Sequence, residues 1–323
     1  SDETVEYARQ FMEIILLGNV VTHLYLGLNA VLRASGHPKQ AMYATIATVA
    51  INTILAPIFI FMFDWGIRGA AIATVSAQVI ALLWQLKQFN NANELLHFRR
   101  GIFRLKRKIV FDSLAIGMSP FLMNLAACLI VILINQGLKK YGGDLAIGAF
   151  GIVNRLVFIV VMIVMGLNQG MQPIAGYNFG AKLYDRVNKV LKLTIIYATC
   201  VTTFGFLVGM LAPNLVVGIF TSDAELTELS ATGLRITVMF FPIIGFQMVT
   251  SNFFQSIGMA GKAIFLSLTR QMLILLPCLL ILPHFFGVAG VWYSMPVSDL
   301  LASLIALVML VYQFRKFKTA AAH

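Results

Sequence analysis

Apolar residues in this chain fall in long runs separated by short polar turns. A bilayer-spanning helix needs roughly 20 mostly apolar residues. Windows of that length give nine candidates, at about 8–33, 40–62, 67–88, 109–137, 145–172, 190–212, 228–257, 262–283 and 287–313. Several are longer than a bilayer requires, which implies tilt or extension into water. Gly and Pro punctuate the runs at Gly36, Pro38, Gly66, Gly117, Pro120, Gly142, Gly143, Pro213 and Gly258. Lipid tolerates such breakers where neighbouring helices or water satisfy the freed backbone groups. The pattern predicts an all-α integral membrane protein.

Composition strengthens that picture. Mean hydropathy is +0.85 and only 11% of residues are charged, against about 25% in a soluble domain. So little charge cannot cover a water-facing surface. The formal charge of +11 raises the question of nucleic acid, but the basic residues cluster between apolar runs without aromatic or Gly-Arg interleaving, so no nucleic-acid partner is expected. Cys128, Cys200 and Cys278 each lie singly inside an apolar run and read as small packing residues. The five histidines are scattered near helix ends, and no metal site or cofactor is expected.

The loops obey the positive-inside rule. Seventeen of the 24 Lys/Arg fall on one side, at Arg33 and Lys39, in Lys87–Lys108, in Lys182–Lys192, at Lys262 and in the tail from Arg315. The other side receives Arg9, Arg68, Lys139, Lys140 and Arg235 with most of the acidic residues. Nine crossings and a cytoplasmic C-terminus in a plasma membrane follow. Arg155 and Arg270 lie within spans.

An internal repeat is visible. After Gly36 and after Gly258 a short basic turn leads into an apolar span and then into Gly-x-x-Gly, as Gly66-Ile67-Arg68-Gly69 and as Gly287-Val288-Ala289-Gly290. Both copies start on the basic side, making this a parallel repeat of the kind secondary transporters use. Four spans precede Gly258 in its half and one precedes Gly36. The repeat therefore predicts a twelve-helix protein of which this sequence holds nine. Residues 1–88 would close an N-terminal lobe, 89–108 would be a basic cytoplasmic linker, and 109–323 would form a six-helix C-terminal lobe with its tail. The linker suits either an interfacial segment or a plain topology signal.

Several stretches resemble the MATE (multidrug and toxic compound extrusion) family. They include Leu32-Arg33-Ala34-Ser35-Gly36, Ile51-Asn52-Thr53-Ile54-Leu55-Ala56-Pro57, Gly66-Ile67-Arg68-Gly69-Ala70-Ala71 and Gly290-Val291-Trp292. The most specific is Gln172-Pro173-Ile174-Ala175-Gly176-Tyr177-Asn178-Phe179-Gly180-Ala181. The resemblance implies two six-helix lobes around a cavity that opens alternately to either side. It also implies export of amphipathic, often cationic organic compounds against inward H⁺ or Na⁺, by a protein that is a monomer at full length.

In that family a coupling site in the N-terminal lobe uses an Asp on the first helix with polar groups on the fourth to sixth. Asn29, Asn52 and Thr74 are the matching groups here, either as cation ligands or proton-relay partners or as interhelical hydrogen bonds. The family often carries Asn-x-x-x-Asp-Pro on the fifth helix; here Ala56 replaces that Asp. In the second lobe Asp299 is the carboxylate well inside a span. It is either paired with Arg270 or open to the cavity as a site for protons or cationic drugs. Arg155 reads as an anchor inside the lobe. Phe121, Asn124, Phe158, Met162, Met165, Met248, Asn252 and Gln255 are candidates for the substrate cavity, since Met-rich surfaces repack around varied ligands; the alternative is packing or lipid contact.

The leading expectation is a cation-coupled exporter of organic cations. The alternative is a flippase for lipid-linked saccharides of related two-lobe architecture, which should need a cationic cavity for pyrophosphate. A membrane enzyme finds no support: HExxH, GxSxG and paired intramembrane carboxylates do not occur.

Overall fold

A computed structural model describes residues 2–91, 96–98, 101 and 104–321. Its elements are α1 (Asp2–Leu17), α2 (Asn19–Ala34), α3 (Pro38–Pro57), α4 (Gly66–Phe89), α5 (Arg107–Gly180), α6 (Tyr184–Leu211), α7 (Pro213–Val217), α8 (Ala224–Val238), α9 (Phe241–Ser256), α10 (Ala260–Leu268), α11 (Leu276–Phe286) and α12 (Val288–Ala321). Short π-helical segments follow α3 at Ile58–Met62 and α10 at Thr269–Leu275. The chain divides into two compact units, Ser1–Leu105 and Lys106–His323. The expected linker 89–108 falls partly outside the described residues, at 92–95, 99–100 and 102–103.

The predicted spans are present with two refinements. Single runs 8–33 and 228–257 are bent pairs, α1–α2 and α8–α9, each turning by 55°. At the first bend Gly18 lies so close to Val75 that a Cβ would meet its Cγ2 at 2.5 Å. At the second, Pro242 enters the first turn of α9, where its missing N–H and its ring forbid a straight continuation from α8. The 74-residue α5 is two helices merged across Gly143, whose φ of 67° and ψ of −162° are non-helical. Gly117 and Pro120, both inside the expected span 109–137, lie within the continuous first part of α5. There the surrounding turns hold the helix, as they can in lipid.

In the N-terminal unit α4 packs against α1, α2 and α3. Its inward positions Ala71, Ala73, Ala77 and Ala81 are small and buried, which lets backbones approach; lipid supplies no hydrophobic drive between helices, so close packing must. In the larger unit the core forms two clusters. One surrounds Leu138, Phe150, Phe241 and Trp292, the other Met171, Leu191, Phe253 and Phe254. Large apolar side chains such as Phe204, Val308 and Tyr312 are well exposed, an arrangement suited to lipid rather than water.

The repeat read from the sequence is built into the backbone. Gly36 (φ 89°) and Gly258 (φ 76°) end their helices in the same left-handed cap. The following N–H reaches back five residues in both, His37 to Leu32 at 3.0 Å and Met259 to Phe254 at 2.8 Å. Gly66 and Gly287 again share positive φ, at 51° and 56°. The second glycine of each pair sits against the preceding element: a Cβ on Gly69 would lie 2.7 Å from the Phe59 carbonyl carbon, and one on Gly290 would lie 2.6 Å from the Pro283 nitrogen.

Candidate functional site

Two polar crossings join α4 to its neighbours in the N-terminal unit. Asn52 Nδ2 on α3 donates to Thr74 Oγ1 at 3.0 Å, and Thr22 Oγ1 on α2 donates to Gln78 Oε1 at 2.5 Å. Thr74 and Gln78 stand one turn apart on α4 and share a face. All four residues are half-buried. Among the described residues the Asn52 carbonyl oxygen receives no hydrogen bond, which leaves an oxygen free for a hard cation or a proton donor. Ala56 follows Asn52 by one turn on the same helix.

Asn29 does not join them. Its Nδ2 donates to the Ala41 carbonyl at 2.9 Å and to Thr45 Oγ1 at 3.3 Å, while its Oδ1 accepts from Arg33 Nη1 at 2.6 Å. Seven helical residues, about 10 Å, separate Thr45 from Asn52 along α3. Asn29 is thus a fully engaged link between α2 and α3, and α2 reaches α4 through Thr22 instead. Thr22 and Gln78 escaped sequence reasoning; the available signal was the repeat register, which sets Gln78 opposite Asp299.

In the larger unit the π segment Thr269–Leu275 carries Arg270 to α12, where its Nε donates to Asp299 Oδ1 at 2.7 Å. Asp299 is 4% exposed and the Arg270 side chain 32%, so the carboxylate lies behind the guanidinium. A carboxylate in so dry a place needs that partner, because an unpaired buried charge is costly. The pair borders a cavity of about 230 Å³ inside this unit, whose other polar lining groups include Asn154, Thr237, Gln271 and Ser298. The Gln271 Oε1 is buried and receives no hydrogen bond among the described residues.

Of the residues expected to line a substrate cavity, Met248 lines this one; the others lie elsewhere. Phe121, Phe158, Met162 and Met165 are exposed on the unit's surface, the last three sharing one face of the second part of α5. Asn124 and Asn252 donate within their own helices, to Pro120 and Met248 carbonyls at 2.9 and 3.0 Å, and Gln255 is half-buried. Arg155 corrects its expectation. It is exposed beside the buried Val153 and makes no ion pair among the described residues, because its helical phase turns it away from the core. It is not an internal anchor.

The family model described as MatE matches residues 1–58 and 116–280. The chain belongs to the MATE family. Relatives of this MATE protein include the multidrug export protein MepA of Staphylococcus haemolyticus, 28% identical over 319 residues that make up 98% of this chain and 69% of the relative. MepA of Staphylococcus aureus MSSA476 is 28% identical over 317 residues, 97% of this chain and 68% of the relative. Among solved structures, the MATE multidrug transporter DinF-BH, solved as a ligand complex, is 34% identical with a TM-score of 0.88, over 98% of this chain and 71% of that one. An outward-facing MATE family transporter of the MOP superfamily shares the fold at a TM-score of 0.90 and 23% identity, over 98% and 71%. This MATE chain is accordingly a multi-pass membrane protein.

Proposed function

We propose that this protein exports amphipathic organic cations in exchange for H⁺ or Na⁺, by alternating access, from a plasma membrane with its C-terminus cytoplasmic. The observation that carries the reading is the 34% identity, over nearly the whole chain, to a multidrug transporter solved with a bound ligand. The coupling half of the proposal rests on chemistry inside the spans. Ionisable and paired polar groups in lipid are expensive and tend to serve ion pathways, and two such sets occur here.

Asp299 is the proposed coupling group of the larger unit. A proton arriving on its carboxylate would compete directly with Arg270, so protonation and the position of the π segment are linked. Asn52 and Thr74 are the proposed neutral oxygen ligands of the smaller unit, weak without a carboxylate at position 56. Drug-dependent H⁺ or Na⁺ flux, measured with the protein reconstituted in proteoliposomes, tests both. Flux carried by one ion and weakened by Asp299→Asn is expected; drug movement indifferent to both gradients overturns the coupling.

A further inference from the structure

Positive charge is stacked into the N-terminal turns of α6. The turn after α5, residues 181–183, holds one cation, Lys182, while Arg186, Lys189 and Lys192 lie inside the helix itself, and all four are exposed. A sidedness signal needs charge near the end of a span, not a ladder along one helix. The ladder is unfavourable by itself: cations at a helix N-terminus oppose its dipole, and like charges three or four positions apart repel. Asp185 stands one turn before Lys189. Among the described residues, however, none of the four cations makes an ion pair. Residues 182–192 therefore carry a net charge of +3, four cations against one carboxylate.

Below the ladder the same side of α6 is apolar and uncovered. Leu193, Tyr197, Cys200 and Phe204 follow Arg186 by seven, eleven, fourteen and eighteen positions, close to whole numbers of turns. All four are exposed. From Lys189 to Cys200 the helix rises roughly 16 Å, against about 15 Å for half the hydrocarbon core of a bilayer. One helix face thus presents cations at one end and apolar side chains over the depth of one leaflet.

We propose that this face of α6 holds an anionic phospholipid, its phosphodiester among Lys182, Arg186 and Lys189 and an acyl chain along Leu193, Tyr197 and Cys200. An anion at this end complements the helix dipole and offsets the repulsion between the stacked cations. A zwitterionic phospholipid brings the same phosphate with an ammonium beside it, which the ladder repels, so the face selects a head of net negative charge. The proposal goes beyond the export reading. It concerns lipid occupancy at equilibrium, so an absence of ion-driven transport leaves it untouched, and its own failure leaves transport untouched.

The test uses Cys200 as a reporter. With Cys128→Ala and Cys278→Ala in place, Cys200 carries a bimane fluorophore, and the protein sits in phosphatidylcholine nanodiscs with a minor share of chain-brominated lipid. Bromine quenches on contact, so the signal reports which lipid adjoins this face. Brominated phosphatidylglycerol should quench at a roughly fivefold lower share than brominated phosphatidylcholine, about the preference that one cation near an anionic head supplies. Arg186→Gln with Lys189→Gln should erase most of that preference, whereas Lys139→Gln, which removes a cation on another helix, should leave it. If the double variant fails to assemble, Asp185→Asn decides: removing the carboxylate beside the ladder should strengthen the preference, and no change overturns the proposal. Equal quenching by the two lipids, or equal losses in the α6 double variant and Lys139→Gln, also overturns it. So does a preference that millimolar inorganic phosphate removes at constant ionic strength, which would assign the ladder to a free anion. Disulfide-linked dimers through Cys200 in native membranes would place a second copy of the chain on this face, with the same result.

Discussion

Gln78 and Asp299 occupy the same place in the two copies of the repeat, each twelve positions after the positive-φ glycine that opens its Gly-x-x-Gly. Each accepts a hydrogen bond from another helical element of its own unit, Gln78 from Thr22 and Asp299 from Arg270. One position thus serves as a polar crossing twice, neutral in one copy and ionic in the other. The difference in charge makes the second crossing the more fragile.

That fragility can be ordered. Arg270→Leu strands a carboxylate that is 4% exposed, whereas Asp299→Asn strands a guanidinium that is 32% exposed and retains some access to the cavity. Removing one partner of a buried pair costs about 3–5 kcal/mol, and replacing both by apolar groups is often neutral. We expect apparent melting temperatures in detergent to fall most for Arg270→Leu, less for Asp299→Asn, and least for the double change Arg270→Met with Asp299→Met. A double variant as unstable as Arg270→Leu would show that the pair itself holds the unit together.

The glycine crossings give a second ordering. Alanine at Gly69 or Gly290 must push against backbone, the Phe59 carbonyl in one case and the Leu282–Pro283 peptide in the other. Overpacking of this kind costs about 1–3 kcal/mol. Gly151 has nothing within 4 Å of its notional Cβ, so Gly151→Ala should be neutral or stabilise by about 1 kcal/mol through helix propensity. Thermal unfolding of the three variants side by side checks this; equal losses at all three would remove the close crossing as the reason for Gly-x-x-Gly.

Much of this was legible in the sequence because lipid leaves few options. Arg270 and Asp299 stood out since charges are rare in apolar runs, and the repeated glycines announced caps that the backbone then adopts. What stayed hidden depended on helix depth and phase. Asn29 has the right residue type, yet α2 meets α3 two turns too far from Asn52 for it to contribute. Arg155 sits centrally in a span but on its exposed face. The residue crowding Gly18 at the bend, Val75, lies 57 positions away, and no local pattern marks the π segment that aims Arg270.

Restoring a carboxylate at position 56 should turn a weak oxygen pair into a cation site. Asp at this position would stand one turn after Asn52, on the face that reaches Thr74. Ala56→Asp should raise the melting temperature in NaCl relative to choline chloride, by an amount equivalent to about 1.4 kcal/mol when Na⁺ is tenfold above its dissociation constant. Adding Asn52→Ala to that variant should remove most of the gain. A sodium response that is absent from Ala56→Asp, or that survives loss of Asn52, would separate this crossing from ion binding.

Sidedness supplies the last prediction. The α5–α6 turn carries Lys182, the first turn of α6 carries Arg186, and the turn before α8 carries Asp223, all exposed; α6 and the short α7 lie between the two turns. Positively charged loops stay cytoplasmic, so the two turns should face opposite sides. With Cys128, Cys200 and Cys278 replaced by alanine, single cysteines at Lys182, Asp223 and Lys139 would be treated in intact cells with a membrane-impermeant maleimide. Lys139→Cys and Asp223→Cys should label from outside, and Lys182→Cys only after permeabilisation. Labelling of Lys182→Cys and Asp223→Cys from the same side would mean that α6 does not cross the membrane, and the alternation behind the transporter reading would fail with it.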